Sequence, residues 1–182
     1  GVPGLVVSAR RARSGAVTAA EERVFRRFND APGWIETPAW VVMQAGSLGA
    51  VAVAAAVQAR QGPAAVAWTG VVGTAVWAGV KGVKPMIGRG RPDDVLDGVR
   101  VRGRRQTGLG YPSGHAAVAM TLACALRLDH HPASTGLAIA GVVGATRLYV
   151  GAHLPLDVVG GVAIGAVAGC GAAALRGGSG AR

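Results

Sequence analysis

The chain has 182 residues, of which 51% are hydrophobic, 15% charged and 4% aromatic, and its formal net charge is +10. The apolar content excludes a disordered chain, and two cysteines are too few for a disulfide scaffold. A soluble domain is typically about 25% charged, so few charges combined with a strong basic excess call for a spatial explanation. The length fits one domain or two small ones.

Residues 1–36 form a basic N-terminal segment. Thr18 lies three residues before Glu21, which is the spacing of a capping box, and the residues that follow predict a short amphipathic helix ending near Asn29. Such a helix fits the membrane interface, and it also fits the surface of a helix bundle. Three arginines precede it in a stretch that we expect to be mobile: Arg10, Arg11 and Arg13.

Five stretches of 15 to 23 residues contain no Asp, Glu, Lys or Arg. A transmembrane helix needs about 20 mostly apolar residues. The sequence therefore predicts an all-α fold, a polytopic membrane helix bundle with about five transmembrane helices and an N-terminal interfacial amphipathic helix. We expect a membrane domain over 37–176 and a flexible tail over 177–182. The helices are predicted near 38–58, 63–82, 114–129, 133–150 and 156–175.

Small residues recur every four positions in the last predicted helix, at Gly161, Gly165 and Gly169. This spacing lets two helices approach closely. We expect the stripe to pack inside the bundle, although a homodimer contact would use the same pattern. The two cysteines, Cys124 and Cys170, lie within predicted helices, where they serve as small apolar side chains.

Three polar blocks are predicted to share one membrane face, because alternate loops of a membrane bundle lie on the same side. The first block opens the loop 83–112, and the second closes it with Pro-Ser-Gly-His at 112–115. The third block covers 146–157 and joins the last two predicted helices. The N-terminal segment belongs to the same face. Charged groups at such depth are costly and usually functional.

An anion site is expected where these blocks meet. Ser113 is placed as the N-cap of the third predicted helix, and Gly114 exposes backbone N–H groups beside it, so this helix start can hold an anion. Lys84, Arg91 and Arg147 add fixed positive charge, and a phosphate has the charge and the acceptors to match such a pocket.

Two histidines and one carboxylate supply reactive groups at the same face. Asp157 lies four residues after His153, a spacing that lets the carboxylate bind one imidazole nitrogen and leave the other as a nucleophile. His115 can then protonate a leaving oxygen. The residues therefore predict a two-step phosphatase with a phosphohistidine intermediate, since phosphoryl transfer needs mainly positioning and neutralised charge.

Each of these residues alone has a simpler explanation. A histidine near a helix end is commonly an interfacial side chain, an arginine in a loop is commonly solvated or bound to head groups, and an aspartate at a helix start is commonly a cap. The functional interpretation depends on the joint placement of the three blocks at one face.

The three blocks together resemble the signature of the type-2 phosphatidic acid phosphatase superfamily, over 37–175. The resemblance implies phosphate ligands at Lys84, Arg91, Ser113, Gly114 and Arg147. It implies His115 as general acid, His153 as nucleophile and Asp157 as its orienting partner. No metal and no other cofactor is required in this family, and the acidic residues of the long loop are explained by a solvated loop: Asp93, Asp94 and Asp97.

The chain departs from the family pattern at two points. Thr146 stands where the family usually has serine, so a hydroxyl is kept with an added methyl group. Many membrane members have six helices, whereas five are predicted here. In this respect the chain is similar to short bacterial members that act on undecaprenyl diphosphate and begin with an amphipathic helix.

We expect the partners to be membrane lipids and a lipid phosphate substrate, first an isoprenyl diphosphate of the undecaprenyl or decaprenyl type. Phosphatidic acid, phosphatidylglycerol phosphate and a prenyl-phosphate sugar phosphate are the alternatives. A non-enzymatic lipid-phosphate binding or transport protein would need the cations without the three reactive groups. Nucleic acid is disfavoured as a partner because the charge is divided among membrane loops and aromatic residues are few. The oligomeric state stays open.

The side of the membrane is contested. Fifteen of the nineteen lysines and arginines fall on the predicted active face, which places it in the cytoplasm by the positive-inside rule. Similar bacterial enzymes usually face outward, and several of these cations have a catalytic use. The resemblance therefore favours an extracytoplasmic active face.

Overall fold

A computed structural model describes residues 2–125 and 133–178, and these residues form helices and connecting loops without a strand. The prediction of an all-α fold is confirmed. The helices are α1 (Val2–Arg13), α2 (Ala19–Asn29), α3 (Glu36–Met43), α4 (Leu48–Val57), α5 (Pro63–Ile87), α6 (Pro92–Val95), α7 (Gly114–Ala125), α8 (Ala133–Tyr149) and α9 (Pro155–Gly178).

Two stretches among the described residues are long and apolar enough to cross a membrane, Pro63–Val95 and Pro155–Arg176. A third candidate is a pair of shorter segments, Gly33–Gly46 and Leu48–Gln61, which meet at an angle of 62°. Five spans were predicted, so length and composition support two or three of them. The helices at the third and fourth predicted positions have 12 and 17 described residues.

Several predicted boundaries differ from the structure. The end of the third predicted helix, 126–129, lies outside the described residues, as does 179–182 of the predicted tail, whereas residues 177 and 178 continue α9. The second predicted helix extends beyond residue 82 to Ile87, so Lys84 lies in its last turn and not in the following loop.

The first predicted span is broken because its backbone passes against the start of α7. A Cβ atom added at Gly46 would lie within 2.4 Å of the backbone oxygen of His115. The chain then turns, and the Ser47 side chain caps α4 by accepting a hydrogen bond from the backbone N–H of Ala50 at 3.3 Å. A glycine is therefore required at the break.

The N-terminal segment is ordered helix, which corrects the expectation of a mobile start. The arginines expected to be mobile lie at the C-terminal end of α1. This helix packs against α9, and the hydroxyl groups of Ser8 and Tyr111 form a buried hydrogen bond of 2.9 Å. A helix with a buried face of this kind is held by tertiary packing rather than by its own propensity.

The amphipathic helix α2 ends at Asn29, as predicted, and the Thr18 side chain accepts a hydrogen bond from the backbone N–H of Glu21 at 3.1 Å. Phe25 is fully buried between α8 and the start of α9. On the outer side, Val24 and Phe28 are exposed. The helix therefore packs on the bundle and keeps an apolar outer surface.

Helix α7 forms the centre of the bundle and contacts α4, α5, α8 and α9. Ala116, Ala117 and Val118 have no exposed surface. A helix that is apolar all round is typically buried in this way.

The predicted glycine stripe packs α9 directly on the backbone of α7, which confirms packing inside the bundle. A Cβ atom added at Gly161 would lie 2.3 Å from the backbone oxygen of Ser113, which directly precedes α7. A Cβ atom added at Gly165 would lie 2.3 Å from the backbone oxygen of Ala117 in α7. At Gly169 an added Cβ would lie 2.6 Å from the Cβ of Cys124. The starts of α7 and α9 are therefore held at a short, fixed separation.

Substitution of Gly165 by alanine is expected to lower the free energy of unfolding by about 1–3 kcal/mol, because the added methyl group collides with the α7 backbone. The matched control is Gly171→Ala on the same helix, where nothing lies within 4 Å of the added atom. The control is expected to leave stability unchanged or to raise it by up to about 1 kcal/mol. Thermal unfolding in detergent measures both, and equal effects would contradict the packing argument.

Candidate active site

Backbone hydrogen bonds hold the three polar blocks together at one end of the bundle. The backbone N–H of Ser113 donates to the carbonyl oxygen of Asp157 at 2.9 Å, and that of Gly110 donates to the carbonyl oxygen of Arg89 at 2.8 Å. The predicted convergence of the blocks on one face is therefore present in the structure.

His153 and Asp157 form the predicted pair at the start of α9. The Nδ1 atom of His153 lies 3.3 Å from Oδ2 of Asp157, and the two residues are 3% and 0% exposed. The same oxygen accepts a hydrogen bond from the backbone N–H of Leu154 at 2.9 Å. The carboxylate thus occupies Nδ1 and leaves Nε2 of the imidazole for a reacting group.

An arginine that the sequence argument did not assign to the site binds the other oxygen of this carboxylate. Arg89 Nη1 lies 3.1 Å from Oδ1 of Asp157, and Arg89 Nη2 lies 2.7 Å from Oε2 of Glu21. The sequence signal for Arg89 is its position within the first polar block, two residues before Arg91. Glu21 is separated from Arg89 by 68 residues, and no local pattern pairs them.

Glu21 has a different role from the one that its spacing predicts. The capping box predicts that its carboxylate turns back to the start of α2. Instead, Oε1 of Glu21 accepts a hydrogen bond from the backbone N–H of Leu156 at 3.0 Å and lies 3.0 Å from Nη1 of Arg89. Helix α2 is therefore tied to the first turn of α9.

Two of the predicted phosphate ligands are held in place by loop carbonyl groups. Lys84 Nζ donates to the carbonyl oxygens of Leu109 and Gly110 at 2.8 and 2.9 Å. Arg91 donates from Nη1 to the carbonyl oxygen of Ala152 at 2.7 Å, and from Nε to that of Gly108 at 2.8 Å. These bonds join the first block to the end of the long loop and to the third block.

Two other predicted ligands carry buried polar atoms without a hydrogen-bond partner. Ser113 Oγ and Arg147 Nε are both of this kind, and their residues are 0% and 4% exposed. The predicted N-cap hydrogen bond from the Ser113 side chain is thus not formed. Unpaired buried polar atoms are costly, so their presence on two residues of this site indicates that a bound anion would satisfy them.

The remaining predicted residues lie at the start of α7. Gly114 is its first residue and His115 its second, and both are partly buried. The backbone carbonyl of His115 faces the broken first span at Gly46. Two elements distant in sequence thus position His115, the break between α3 and α4 and the N-terminus of α7.

The field of the site acts on His153, which lies in the loop between α8 and α9. Burial lowers its pKa well below the usual value near 6.5, and the positive charges of Arg147, Lys84 and Arg91 lower that pKa further. His115 contributes in the same direction. The imidazole of His153 is therefore uncharged at neutral pH, which is the form that a nucleophile requires.

A cavity of about 50 Å³ adjoins these residues. Its lining includes Arg91 and Arg147 of the site and two further cations of the long loop, Arg102 and Arg104. Trp40 of α3 closes one side. Asp93 also lines the cavity, so its lining carries four arginines and one carboxylate, and the net charge beside the predicted phosphate ligands is positive.

Two of the three acidic residues of the long loop are engaged by a cation. Asp93 and Asp94 both form ion pairs with Arg105, and the side chain of Asp93 is only 13% exposed. Within 2–125 and 133–178, no group of three His, Cys, Asp or Glu side chains is arranged to hold a metal ion.

Comparison with known proteins identifies the family. The family model of the PAP2 superfamily, the type-2 phosphatidic acid phosphatases, matches residues 63–179, which is most of the chain. The chain therefore belongs to the PAP2 superfamily, and the resemblance predicted from its three motifs is confirmed.

One curated relative is the lipid A 4'-phosphatase of Bacteroides thetaiotaomicron, which is 37% identical over 101 residues. The alignment covers 48% of this chain and 42% of the relative, so this chain matches less than half of that protein's length.

Two solved structures share the fold. LpxE of Aquifex aeolicus superimposes with a TM-score of 0.72 at 21% identity, covering 85% of this chain and 95% of that one. The transmembrane PAP2-type phosphatidylglycerolphosphate phosphatase of Bacillus subtilis superimposes with a TM-score of 0.69 at 19% identity, covering 96% and 94%. At these identities the likeness concerns the fold alone.

Substitution of Ser113 by alanine is expected to weaken the binding of vanadate, a phosphate analogue, by about 10- to 100-fold, the worth of a hydrogen bond to a charged group. Stability is expected to change little, because Oγ of Ser113 has no partner to lose. Thr121→Val is the control, since its buried hydroxyl donates to the carbonyl of Ala117. The control is expected to lose stability without a specific loss of vanadate binding; a Ser113 variant with unchanged vanadate binding would contradict this assignment.

The depressed pKa of His153 predicts that its imidazole stays uncharged when the pH falls from 8 to 6. Nuclear magnetic resonance of the protein in detergent, with labelled histidine, measures this titration directly. The His153 resonance is assigned by its loss in His153→Gln. A midpoint at or above 6.5 would show that the surrounding positive charges do not act on this side chain as described.

Proposed function

We propose that the protein is a metal-independent membrane lipid phosphatase that works through a phosphohistidine intermediate. The observation that carries this proposal is the buried His153–Asp157 pair, whose Nδ1–Oδ2 distance is 3.3 Å, together with the unpaired Oγ of Ser113 and Nε of Arg147. Nε2 of His153 attacks the terminal phosphorus and the ester or anhydride oxygen leaves, while Asp157 stabilises the imidazolium that forms.

His115 has two tasks in this scheme. It first donates a proton to the leaving oxygen, and it then accepts a proton from the water that attacks the phosphohistidine, which releases inorganic phosphate and free His153. Lys84, Arg91 and Arg147 bind the phosphate oxygens and neutralise the charge of the transition state together with Ser113 and the backbone at Gly114. These roles use every residue that the sequence assigned to the site.

We propose an isoprenyl diphosphate as the first substrate class. Support comes from the resemblance of the chain to short family members and from the cavity beside the phosphate ligands. Arg102 and Arg104 line that cavity together with Arg91 and Arg147, which offers charge for a second phosphate group. A diphosphate places its terminal phosphate at His153 and its other phosphate toward these loop arginines.

A phosphate monoester of a lipid is the second candidate substrate. The relative that is 37% identical is named a lipid A 4'-phosphatase, and one protein with the same fold is named a phosphatidylglycerolphosphate phosphatase. For such a substrate the loop arginines would contact the sugar or the glycerol portion and not a second phosphate.

Purified protein is expected to release phosphate from lipid phosphates in the presence of EDTA, and His153→Gln is expected to lower kcat by about 10³-fold or more, as removal of a nucleophile does. Rapid quenching with ³²P-labelled substrate should trap an acid-labile, base-stable phosphoenzyme in His115→Asn and none in His153→Gln. Release of no phosphate by the wild-type protein, or full activity of His153→Gln, would favour a binding or transport protein.

The same assay separates the two substrate classes. An isoprenyl diphosphate is expected to be hydrolysed with a higher kcat/KM than phosphatidic acid, phosphatidylglycerol phosphate or a lipid A phosphate, and Arg104→Gln is expected to reduce that preference. A preference for a monoester, unaffected by Arg104→Gln, would assign the cavity to a different part of the substrate.

We propose that the active face is extracytoplasmic. The positive-inside count opposes this orientation, but many of the cations on this face have partners within the protein, among them Arg89, Arg91, Arg102 and Arg105. Labelling of single cysteines placed at the exposed positions Arg60 and Arg104 with an impermeant reagent on intact cells decides the orientation. Labelling at position 104 alone supports the proposal, and labelling at position 60 alone overturns it.

A further inference from the structure

We propose that Glu21 and Arg89 are positioning residues for the reaction, because they set the orientation of the Asp157 carboxylate and through it the tautomer of His153. The inference rests on the proposed function. It adds two residues that the sequence did not assign to the site, Arg89 within the first polar block and Glu21 on α2, and so assigns the N-terminal helix α2 a part in the chemistry.

The guanidinium group of Arg89 is shared between two carboxylates. Its Nη1 atom lies 3.0 Å from Oε1 of Glu21 and 3.1 Å from Oδ1 of Asp157, and its Nη2 atom lies 2.7 Å from Oε2 of Glu21. The side chains of Arg89 and Asp157 are 0% exposed, and that of Glu21 is 10% exposed. An arginine buried between two fixed carboxylates has a single orientation.

This arrangement determines which oxygen of Asp157 meets His153. Oδ1 is bound by Arg89, so Oδ2 is the oxygen that lies 3.3 Å from Nδ1 of His153. The backbone N–H of Leu154 also binds Oδ2. Because an aspartate side chain otherwise rotates among several positions, loss of the Arg89 contact would allow Oδ2 to leave the line of the imidazole N–H.

Glu21 makes this role possible through charge and through position. Without Glu21, the full charge of Arg89 would act on Asp157 and weaken the stabilisation that the carboxylate gives to an imidazolium at His153. Glu21 also accepts a hydrogen bond from the backbone N–H of Leu156, the residue directly before Asp157. It therefore fixes both the arginine and the backbone that carries the carboxylate.

Arg89 does not belong to the phosphate ligands in this scheme. Nε of Arg89 is buried without a hydrogen-bond partner, as are Nε of Arg147 and Oγ of Ser113, but both terminal nitrogens of Arg89 are engaged by carboxylates. Loss of Arg89 function should therefore affect the rate of phosphoryl transfer and not the binding of the phosphate group.

The test compares Arg89→Lys and Glu21→Gln with the wild-type protein. Arg89→Lys keeps the positive charge but loses the planar guanidinium group that contacts both carboxylates. Glu21→Gln keeps an oxygen acceptor but loses the negative charge. We expect kcat to fall by about 10- to 100-fold for Arg89→Lys, the cost of a small misplacement in a reacting site, and by a smaller factor for Glu21→Gln. KM and inhibition by vanadate are expected to change by less than about threefold.

Glu22→Gln is the matched control on the same helix. Glu22 is the neighbour of Glu21 and forms an ion pair of 3.1 Å with Arg26, which is partly exposed and makes its other hydrogen bonds to the carbonyls of Asp97 and Gly98. The Glu22→Gln substitution removes an acidic group from α2 without changing a contact of Asp157. We expect kcat and vanadate inhibition of this variant to equal those of the wild type.

The tautomer of His153 supplies a readout that is independent of turnover. The ¹⁵N chemical shifts of labelled histidine distinguish a proton on Nδ1 from one on Nε2. The wild-type and Glu22→Gln proteins are expected to show Nδ1–H alone, and Arg89→Lys a mixture of the two forms. Glu21→Gln, which preserves the shape of the site, gives the same measurement if Arg89→Lys does not fold.

Three results would overturn the inference. The first is that neither Arg89→Lys nor Glu21→Gln changes kcat or the tautomer of His153. The second is that vanadate inhibition is lost in parallel with kcat, and the third is that Glu22→Gln lowers kcat as much as these two variants do. The proposed function fails separately, since in that case the wild-type protein itself releases no phosphate and forms no phosphohistidine.

Discussion

The buried carboxylate of Asp157 is the group on which the arrangement of this end of the bundle depends. Its two oxygens contact His153, Arg89 and the backbone N–H of Leu154. The backbone carbonyl oxygen of Asp157 accepts a hydrogen bond from the backbone N–H of Ser113. A carboxylate without solvent requires several donors to stay charged. The need to satisfy it draws α2, the long loop and the starts of α7 and α9 to one point.

The proposed phosphate ligands have the opposite imbalance, an excess of positive charge and of polar atoms without a partner. Arg147 Nε and Ser113 Oγ are donors or acceptors without a partner, and Lys84 and Arg91 are cations bound only by neutral carbonyl groups in the hydrogen bonds described above. One part of the site therefore has its negative charge balanced inside the protein, while the adjoining part has an excess of positive charge. A phosphate group at the proposed site would supply the missing acceptors and the missing charge together.

The part of this structure that could be predicted from the sequence is the part encoded by local patterns. Uncharged stretches located the apolar helices, the glycine spacing located the close contact on α9, and the four-residue spacing located the His153–Asp157 pair. The break at Gly46 was not predictable, because it depends on the backbone of His115, far along the chain. The same holds for the pairing of Glu21 with Arg89, in which the capping-box pattern assigned the carboxylate to the wrong partner.

The glycine contact between α7 and α9 makes the distance between the two helices independent of side-chain size. Ser113 and His115 begin one helix and His153 and Asp157 precede or begin the other, and between the helices there is backbone in place of a layer of side chains. The spacing of the reacting groups is thus insulated from changes in side-chain size elsewhere.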